Sequence, residues 1–420
     1  MSLFITATII LISLVFGTPI FVVISGLALY LFFFAQIDLS AIIIEMHRMA
    51  TTSMLVAIPL FTFAGYLVSE SGAPKRLIRF SNAILGWLPG GISIIALITC
   101  AIFTALTGAT GLTIIAIGGI LLPAMIEGKY PESLSLGLLT TSGTLGLLFP
   151  PSLPLIIYAI VAKVRIDQLF IAGILPGTLL VLMLSLFSIH RSVRADVPKT
   201  QFRLGEVFMA LRESLWELPL PFILLGGIYT GYFAVSEASA ITVVYIIMVE
   251  VVIYRDVKWR ELPEIMKKSM VLVGVILIIL GAAMGLTNYL IDAEIPMKIL
   301  DFIRAHIENR FFFLIVLNLF LLAVGCTMGI FSSLVVVIPL ITPIAAVYGI
   351  HPVHLGIIFL TNLEIGASIP PLGINLFISS IRFERPVLEL YLASLPFIVI
   401  LLIGLTLITY LPWISLVLIR

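Results

Sequence analysis

Apolar residues dominate the chain in long runs, and short polar or glycine- and proline-rich stretches separate these runs. The runs predict helices over 2–16, 19–36, 52–70, 91–106, 112–126, 133–163, 167–190, 214–233, 237–254, 269–290, 311–326, 334–348, 353–381 and 386–418. A helix that crosses a membrane needs about 20 apolar residues at a rise of about 1.5 Å each. The pattern therefore predicts an all-α polytopic membrane protein.

Two pairs of runs are too short for two full crossings. The runs 91–106 and 112–126 are separated only by a Thr-Gly-Ala-Thr-Gly turn, and the runs 311–326 and 334–348 flank a turn that begins at Thr327. Each pair fits a re-entrant hairpin better than two spanning helices. We therefore predict one hairpin over 91–126 and a second over 311–348.

Two other runs are long enough to span but contain paired prolines. The run 133–163 is interrupted by Pro150 and Pro151, and the run 353–381 by Pro370 and Pro371. Proline removes a backbone donor and blocks the continuation of a helix, and it also restricts the residue before it. Both runs are therefore predicted to be broken helices that unwind within the membrane.

The two halves of the chain match at a constant offset of 220 residues. The identical pairs are Gly65/Gly285, Thr107/Thr327, Pro123/Pro343, Thr141/Thr361, Gly146/Gly366, Pro150/Pro370 and Pro151/Pro371. We infer an internal duplication, with a first repeat over 1–190, a cytoplasmic linker over 191–213 and a second repeat over 214–420. Because each repeat holds an odd number of crossings, the repeats are predicted to be inverted relative to each other.

Loop charges predict the orientation, since Lys and Arg favour the cytoplasmic side in short loops. With residue 1 outside, most of the 23 Lys and Arg residues fall in inside loops. The segments 73–87 and 293–307 carry charges among apolar residues, which predicts amphipathic helices at opposite interfaces. His351 and His354 fall in an outside loop, where we expect them to be solvated. Glu237 is expected at a helix start.

Composition excludes several classes of protein. Hydrophobic residues make up 61% of the chain and charged residues 11%, and the 23 basic residues nearly cancel the 22 acidic ones. No basic field is present to attract nucleic acid, and Cys100 and Cys326 lie in apolar runs as small hydrophobic residues. No metal-ligand spacing, phosphate loop or nucleophile motif appears. The sequence therefore predicts neither an enzyme nor a resident cofactor.

Unwound backbone at membrane depth is tolerated only where it is buried in protein or lines a cavity. In inverted-repeat transporters, free carbonyl and hydroxyl oxygens at such points hold a sodium ion. The hairpin tips and breaks here supply two oxygen-rich groups of residues. The first nest comprises Thr107, Thr110, Gly111, Gly143, Gly146 and Ser152, and the second nest comprises Thr327, Gly329, Ser332, Ser333, Asn362, Gly366 and Ser368. We predict one sodium site in each nest.

Half-helix N-termini carry a partial positive charge, which would face an anionic substrate near the breaks. The residues predicted to line that substrate site are Gly108, Pro150, Pro151, Pro370, Pro371, Gly373 and Asn375. An alternative interpretation of the Gly and Thr residues in the two nests is that they permit close helix packing. Glu364, one turn before the second break, is either a functional group or a protonated or paired structural residue.

The stretch from Gly143 to Pro154 resembles the signature break of the large membrane subunit of tripartite ATP-independent periplasmic (TRAP) transporters. The segments Pro352–Gly356, Asn362–Gly366 and Pro370–Gly373 resemble the same family, as do the Val-Ser-Glu-Ala turn at 235–238 and the Gly-Thr-Pro opening at 17–19. The resemblance covers essentially the whole chain.

The resemblance implies an elevator-type secondary transporter in a bacterial inner membrane. It implies uptake of a small organic anion, such as a dicarboxylate, sialic acid or a similar carboxylate, with sodium as the coupling ion. It also implies two partners, a periplasmic substrate-binding protein and a small four-helix membrane subunit. This chain carries no additional N-terminal helices for that subunit, so we expect the subunit to be a separate polypeptide.

Two positions in the second nest depart from the family pattern. Gly329 stands where many members have an acidic residue, and Ile369 stands where Thr usually precedes the second proline pair. The coordination of the second site is therefore less defined than that of the first. The remaining alternative is a self-sufficient anion/sodium symporter of the same architecture, which needs no binding protein.

Overall fold

The computed structural model describes residues 18, 20–198, 202–307, 309–371 and 373–419. Throughout these ranges the regular secondary structure is helical. Of the described helices, 7 are long and apolar enough to cross a membrane, or up to 9 if each bent pair is one span. The predicted helix over 2–16, together with Gly17, Pro19, Lys199 and Leu372, lies outside the described residues.

The first half of the chain forms nine helices within the described ranges. They are α1 (Ile20–Phe34), α2 (Ser40–Ala50), α3 (Ala57–Glu70), α4 (Ala73–Leu85), α5 (Gly91–Thr107), α6 (Thr110–Glu127), α7 (Glu132–Ser142), α8 (Leu153–Ala162) and α9 (Ile166–Arg194). Short 3-10 turns cover Ser53–Val56 and Leu145–Leu148. A π-helical turn at Ile114–Gly118 lies within α6.

The second half of the described chain repeats most of this order. Its helices are α10 (Leu204–Glu213), α11 (Pro219–Tyr229), α12 (Val235–Ile253), α13 (Leu262–Asp292), α14 (Ile295–His306), α15 (Arg310–Thr327), α16 (Ile330–Val347), α17 (Pro352–Gly366), α18 (Ile374–Phe383), α19 (Val387–Tyr410) and α20 (Trp413–Leu416). A 3-10 turn at Val417–Ile419 follows α20.

The predicted hairpins and broken helices are confirmed. Helices α5 and α6 form the first hairpin, and α15 and α16 form the second. The first broken helix bends by 45° between Glu132–Leu148 and α8. The second stops at Gly366 and restarts at Ile374. In both breaks the proline pair falls between the two helical parts, where missing donors and ring clashes prevent an unbroken helix.

The amphipathic segments are also helical, as α4 and α14. Glu237 begins a helix as predicted, because its carboxylate accepts from the backbone N–H of Ala234 at 2.9 Å. Within the predicted linker 191–213, α9 extends to Arg194 and α10 covers Leu204–Glu213. Helix α2 was not predicted, because its two charged residues interrupt the apolar run.

The prediction that His354 is solvated is wrong, although His351 is exposed as expected. His354 is 1% exposed, and its ring nitrogens lie 3.2 Å from the Ser415 hydroxyl and 3.3 Å from the Thr409 carbonyl oxygen. Helix α17 begins at Pro352, so His354 lies on its first turn, where the imidazole ring faces the core. A buried imidazole with two partners is part of the core.

The hairpins exchange partners between the two halves. Each first arm packs on the break of its own half: α5 on Leu145–Leu148, and α15 on α17. Each second arm packs on the opposite half: α6 on α18, and α16 on α8. The two broken helices also meet directly, because the Tyr158 hydroxyl on α8 donates to the carbonyl of Pro352 at the start of α17, at 2.8 Å. The two halves therefore share one core.

A partly buried ionic cluster joins the amphipathic helix α4 to the second half. The Arg76 guanidinium contacts Glu217 at 2.5 Å, Glu250 at 2.8 Å and Asp256 at 2.5 Å. It also lies over the Tyr254 ring, 3.9 Å from the centroid. An arginine fork offers several donors in one plane, so it can bind three carboxylates at once. This cluster fixes α4 against the turn before α11 and the end of α12.

Candidate functional site

The first hairpin tip is a tight, buried turn. Helix α5 ends at Thr107, and Gly108 follows with φ +64°, donating its N–H to the Thr104 carbonyl at 2.8 Å. A side chain at Gly108 would be strained by that φ and would lie 2.6 Å from Leu153, which begins α8. Glycine therefore allows the tip to rest directly on the start of the half-helix beyond the first break.

Thr104 connects the hairpin to the break. Its hydroxyl donates to the Gly143 carbonyl at 2.8 Å and lies 2.6 Å from the Thr113 hydroxyl on the other arm. All three residues are buried. Gly143 also lies close to the tip, because a Cβ there would be 3.4 Å from the Thr110 carbonyl oxygen. Three oxygens, those of Thr104, Thr113 and Gly143, thus meet at the first nest and come from three chain segments.

The first break exposes polar groups to the protein interior. Helix α7 ends at Ser142, and Leu145–Leu148 continues as a tighter 3-10 turn before Pro150 and Pro151. The Pro150–Pro151 bond is cis. Ser152 is fully buried, and its hydroxyl has no hydrogen-bond partner among the described residues. An unpartnered buried hydroxyl is costly unless a ligand satisfies it.

Close backbone packing holds the nest together. A Cβ at Gly146 would overlap the Ala101 carbonyl oxygen and would lie 2.5 Å from the Ala105 nitrogen, both on α5. A Cβ at Gly65 on α3 would overlap Thr107. Gly111 meets the opposite half, where Ile378 of α18 would lie 2.7 Å from an added Cβ. Helices α3 and α5 and the Ile378 side chain of α18 thus pack closely around the first nest.

The second hairpin tip has the same chain order but a different environment. Thr327 and Gly329 are exposed, and a Cβ at Gly329 would meet nothing within 4 Å. Thr327 donates to the Ala323 carbonyl at 2.8 Å, and Ser333 donates to the Gly329 carbonyl at 3.0 Å. These hydroxyls are therefore bonded within the hairpin, and Ser332 is buried beside them.

The second break meets the hairpin arm below the tip. A Cβ at Gly366 would lie 2.7 Å from the Gly325 backbone on α15. Within the break, the Asn375 side chain donates to the Ser368 hydroxyl at 3.3 Å, and its N–H donates to the Ala367 carbonyl at 3.0 Å. Gly373 allows the chain to turn back on itself within the break, because a Cβ there would lie 2.6 Å from the Ile369 carbonyl oxygen.

Several buried oxygens at the second break have no hydrogen-bond partner in the described part of the chain. They are Oδ1 of Asn362, Oδ1 of Asn375 and both carboxyl oxygens of Glu364. All three residues are 0% exposed. The structure thus places Asn362 and Gly366 against Gly325 of α15, and it brings Ser368 and Asn375 together within the break. It leaves Thr327 and Gly329 at an open tip.

The residues predicted to bind substrate have unequal environments. Pro150 and Pro151 are buried, whereas Pro370 and Pro371 are exposed. Pro150 and Phe149 line a cleft of about 430 Å³ whose remaining walls are apolar except for Thr178. Apolar walls do not stabilise a carboxylate. The second break is open by comparison, and polar Ser368 and Asn375 lie beside it.

A family model matches residues 5–414 of the chain, and its description is "Tripartite ATP-independent periplasmic transporter, DctM component". This match extends through both hairpins and both breaks. The chain belongs to this family. The resemblance seen in the sequence is thereby confirmed, and the chain is a TRAP large permease component, not an enzyme. Together with the apolar helices, membership identifies it as a multi-pass inner membrane protein.

Individual relatives agree with the family match. The "C4-dicarboxylate TRAP transporter large permease protein DctM" of Pseudomonas aeruginosa is 35% identical over 394 residues, covering 93% of this chain and 92% of the relative. The "Ectoine TRAP transporter large permease protein TeaC" of Halomonas elongata is 32% identical, covering 86% of this chain and 85% of the relative.

A solved structure also shares the fold. The YdaH transporter of Alcanivorax borkumensis superposes with a TM-score of 0.62 at 15% identity, covering 89% of this chain and 87% of that one. Identity this low supports a common fold only.

Some residues at the nests of this TRAP subunit were not predicted. Thr104 and Thr113 lie one turn away from the tip residues that the sequence singled out. Their spacing from Thr107 and Thr110 along helical arms was the available signal, since residues three apart share a face. Asn318, which contacts Asn362, and Thr409, which contacts Asn318, come from distant segments and gave no local signal.

Proposed function

We propose that this TRAP large subunit performs sodium-coupled uptake of a small organic anion that an extracytoplasmic substrate-binding protein delivers. A small membrane subunit, encoded as a separate chain, would brace it. A tripartite transporter has two further components by definition of the family, which supports this assembly. Transport would proceed with the two nests as sodium sites and the breaks as the substrate site.

The observation that carries the proposal is the set of buried oxygens without partners at the breaks. Ser152 of the first nest and Asn362 of the second nest each leave a side-chain oxygen unsatisfied in the described structure. Leaving such an atom unpaired costs about 1–3 kcal/mol. A hard cation prefers oxygen ligands, and free carbonyls at a helix break supply more of them. A sodium ion at each nest would satisfy these atoms.

The substrate class follows from charge and from the relatives. Helices α8 and α18 each begin directly after a break, so both direct a partial positive charge toward it. The names of the two relatives refer to C4-dicarboxylate and to ectoine. We infer a small carboxylate, held near Asn375 and the start of α18. Dicarboxylates and sialic acid are the first candidates for a substrate screen.

Reconstitution tests the proposal. The chain, the small subunit and the binding protein are placed in liposomes with radiolabelled C4-dicarboxylates or sialic acid. Uptake that requires an inward sodium gradient and all three proteins is the expected result. Uptake independent of sodium would overturn the coupling. Sodium-driven uptake by the chain alone would overturn the tripartite form and would establish a self-sufficient symporter.

A further inference from the structure

The side chain of Asn362 has a fixed orientation. It is 0% exposed on α17, and its Nδ2 donates to the Ile358 carbonyl and to Asn318 Oδ1, both at 2.8 Å. A backbone carbonyl only accepts, so the atom that faces Ile358 must be the amide nitrogen. Both amide hydrogens are thereby used. The remaining atom, Oδ1, has no partner among the described residues.

The orientation of Asn318 is fixed in turn. Because its Oδ1 accepts from Asn362, its own Nδ2 faces the Thr409 hydroxyl at 3.1 Å. Thr409 is 1% exposed near the end of α19, and its carbonyl lies 3.3 Å from the His354 ring. A chain of polar contacts therefore joins α15, α17 and α19 through an otherwise apolar core.

Asn318 lies on the face of α15 that contacts α17 and the second break. Asn318, Leu321 and Gly325 recur at spacings of three and four, so they line one stripe of α15. At the end of that stripe a Cβ on Gly325 would lie 3.3 Å from the Asn362 carbonyl oxygen. The stripe aligns the arm with α17, and Asn318 adds the directional contact that distinguishes the two ends of the Asn362 amide.

We propose that Asn318, anchored by Thr409, is a positioning residue that holds the Asn362 side-chain oxygen as a cation ligand of the second nest. The inference rests on the proposed function and names a residue outside the predicted nests. Without Asn318, the Ile358 carbonyl alone would hold the Asn362 amide, so the side-chain oxygen would be placed less firmly toward the cation. Asn318 reinforces the orientation, because its oxygen accepts a hydrogen bond and cannot donate one to the Asn362 oxygen.

The test measures sodium binding directly as thermal stabilisation of the purified full-length chain over a sodium titration, with choline as the ionic-strength control. Asn318→Leu removes the acceptor at similar volume. We expect it to raise the sodium concentration for half-maximal stabilisation by about 5- to 30-fold. Thr409→Val should act in the same direction but more weakly. Asn318→Asp keeps an acceptor toward Asn362 and should retain most of the affinity.

A double-substitution comparison separates positioning from general damage. In an Asn362→Ala background the oxygen to be positioned is gone, so Asn318→Leu should cause no further loss of sodium response. Thr406→Val is the matched control, since this exposed threonine donates its hydroxyl to the Leu402 carbonyl on its own helix. It should leave the titration unchanged.

Two results would overturn the inference alone. They are an unaltered titration for Asn318→Leu while Asn362→Ala impairs it, and equal losses for Asn318→Leu with and without Asn362. If Asn318→Leu does not fold, the sodium titrations of Thr409→Val and Asn318→Asp test the inference by the same criteria. A complete lack of sodium response in the unaltered chain would overturn the proposed function as well, which distinguishes the two failures.

Discussion

The Thr104 hydroxyl donates to the Gly143 carbonyl oxygen across the gap between the first hairpin and the first break, at 2.8 Å. This contact joins two segments that each interrupt regular helix. Thr104→Val preserves the shape of the side chain but removes the donor. We expect a loss of about 1–3 kcal/mol in the free energy of unfolding, because a buried polar contact is broken.

The effect of Thr104→Val is measured by thermal unfolding in detergent, and sodium-dependent uptake is measured in parallel. Thr230→Val is the control, because Thr230 is exposed and its hydroxyl bonds to the Gly226 carbonyl of its own helix. Equal stability and equal sodium demand in the two variants would contradict a joining role for Thr104.

Gly146 and Gly329 provide a matched pair for the two nests. Gly146→Ala forces a methyl group into the α5 backbone, whereas Gly329→Ala adds one where nothing lies within 4 Å. Overpacking of this kind typically costs about 1–3 kcal/mol. We expect Gly146→Ala to abolish uptake and to lower the yield of folded protein. Gly329→Ala should fold and should transport. Loss of folding in both variants would contradict an open second tip.

The Arg76 cluster predicts that the stability of the folded chain depends strongly on the Arg76 guanidinium. Arg76→Met leaves Glu217, Glu250 and Asp256 together without their shared partner, which should cost about 3–5 kcal/mol. Arg79 on the same helix pairs with Glu213 at 2.7 Å, but both side chains are largely exposed. Arg79→Met should therefore cost less than about 1 kcal/mol. Similar melting temperatures for the two variants would refute this ranking.

Glu217 adds a pH dependence to that cluster. Burial raises the pKa of Glu217 above its ordinary value of 4.5. The folded chain then keeps the proton at pH values where the unfolded chain has lost it, so the free energy of unfolding should fall as the pH rises above 4.5. Glu217→Gln removes this titration. Its melting temperature should change less with pH than that of the unaltered chain, and an identical slope would contradict the assignment.

Orientation in the membrane remains a prediction that accessibility can test. In a background without Cys100 and Cys326, Asp196→Cys and His351→Cys place single thiols at two exposed positions. With residue 1 outside, an impermeant maleimide applied to intact cells should label residue 351 and spare residue 196. Labelling of residue 196 from outside would show that the assigned orientation is reversed.

The chain order of hairpins and breaks could be predicted because glycine, threonine and paired proline act locally. Pro150 and Pro370 end helical hydrogen bonding wherever the rest of the chain lies. Partners across the fold could not be predicted in this way. Tyr158 and Pro352, or Asn318 and Thr409, meet only through tertiary packing, and no feature of either segment specifies the other. The burial of His354 was missed for the same reason.

The exchange of hairpin arms between the two halves has a consequence for biosynthesis. When the ribosome has completed α6, the surface around Gly111 and Gly118 that receives Ile378 and Phe383 still has no partner. That surface stays uncovered until α18 has been synthesised and inserted. The first hairpin therefore cannot complete its packing until most of the second half has been translated. The first half therefore completes this part of its packing only when the second half is present.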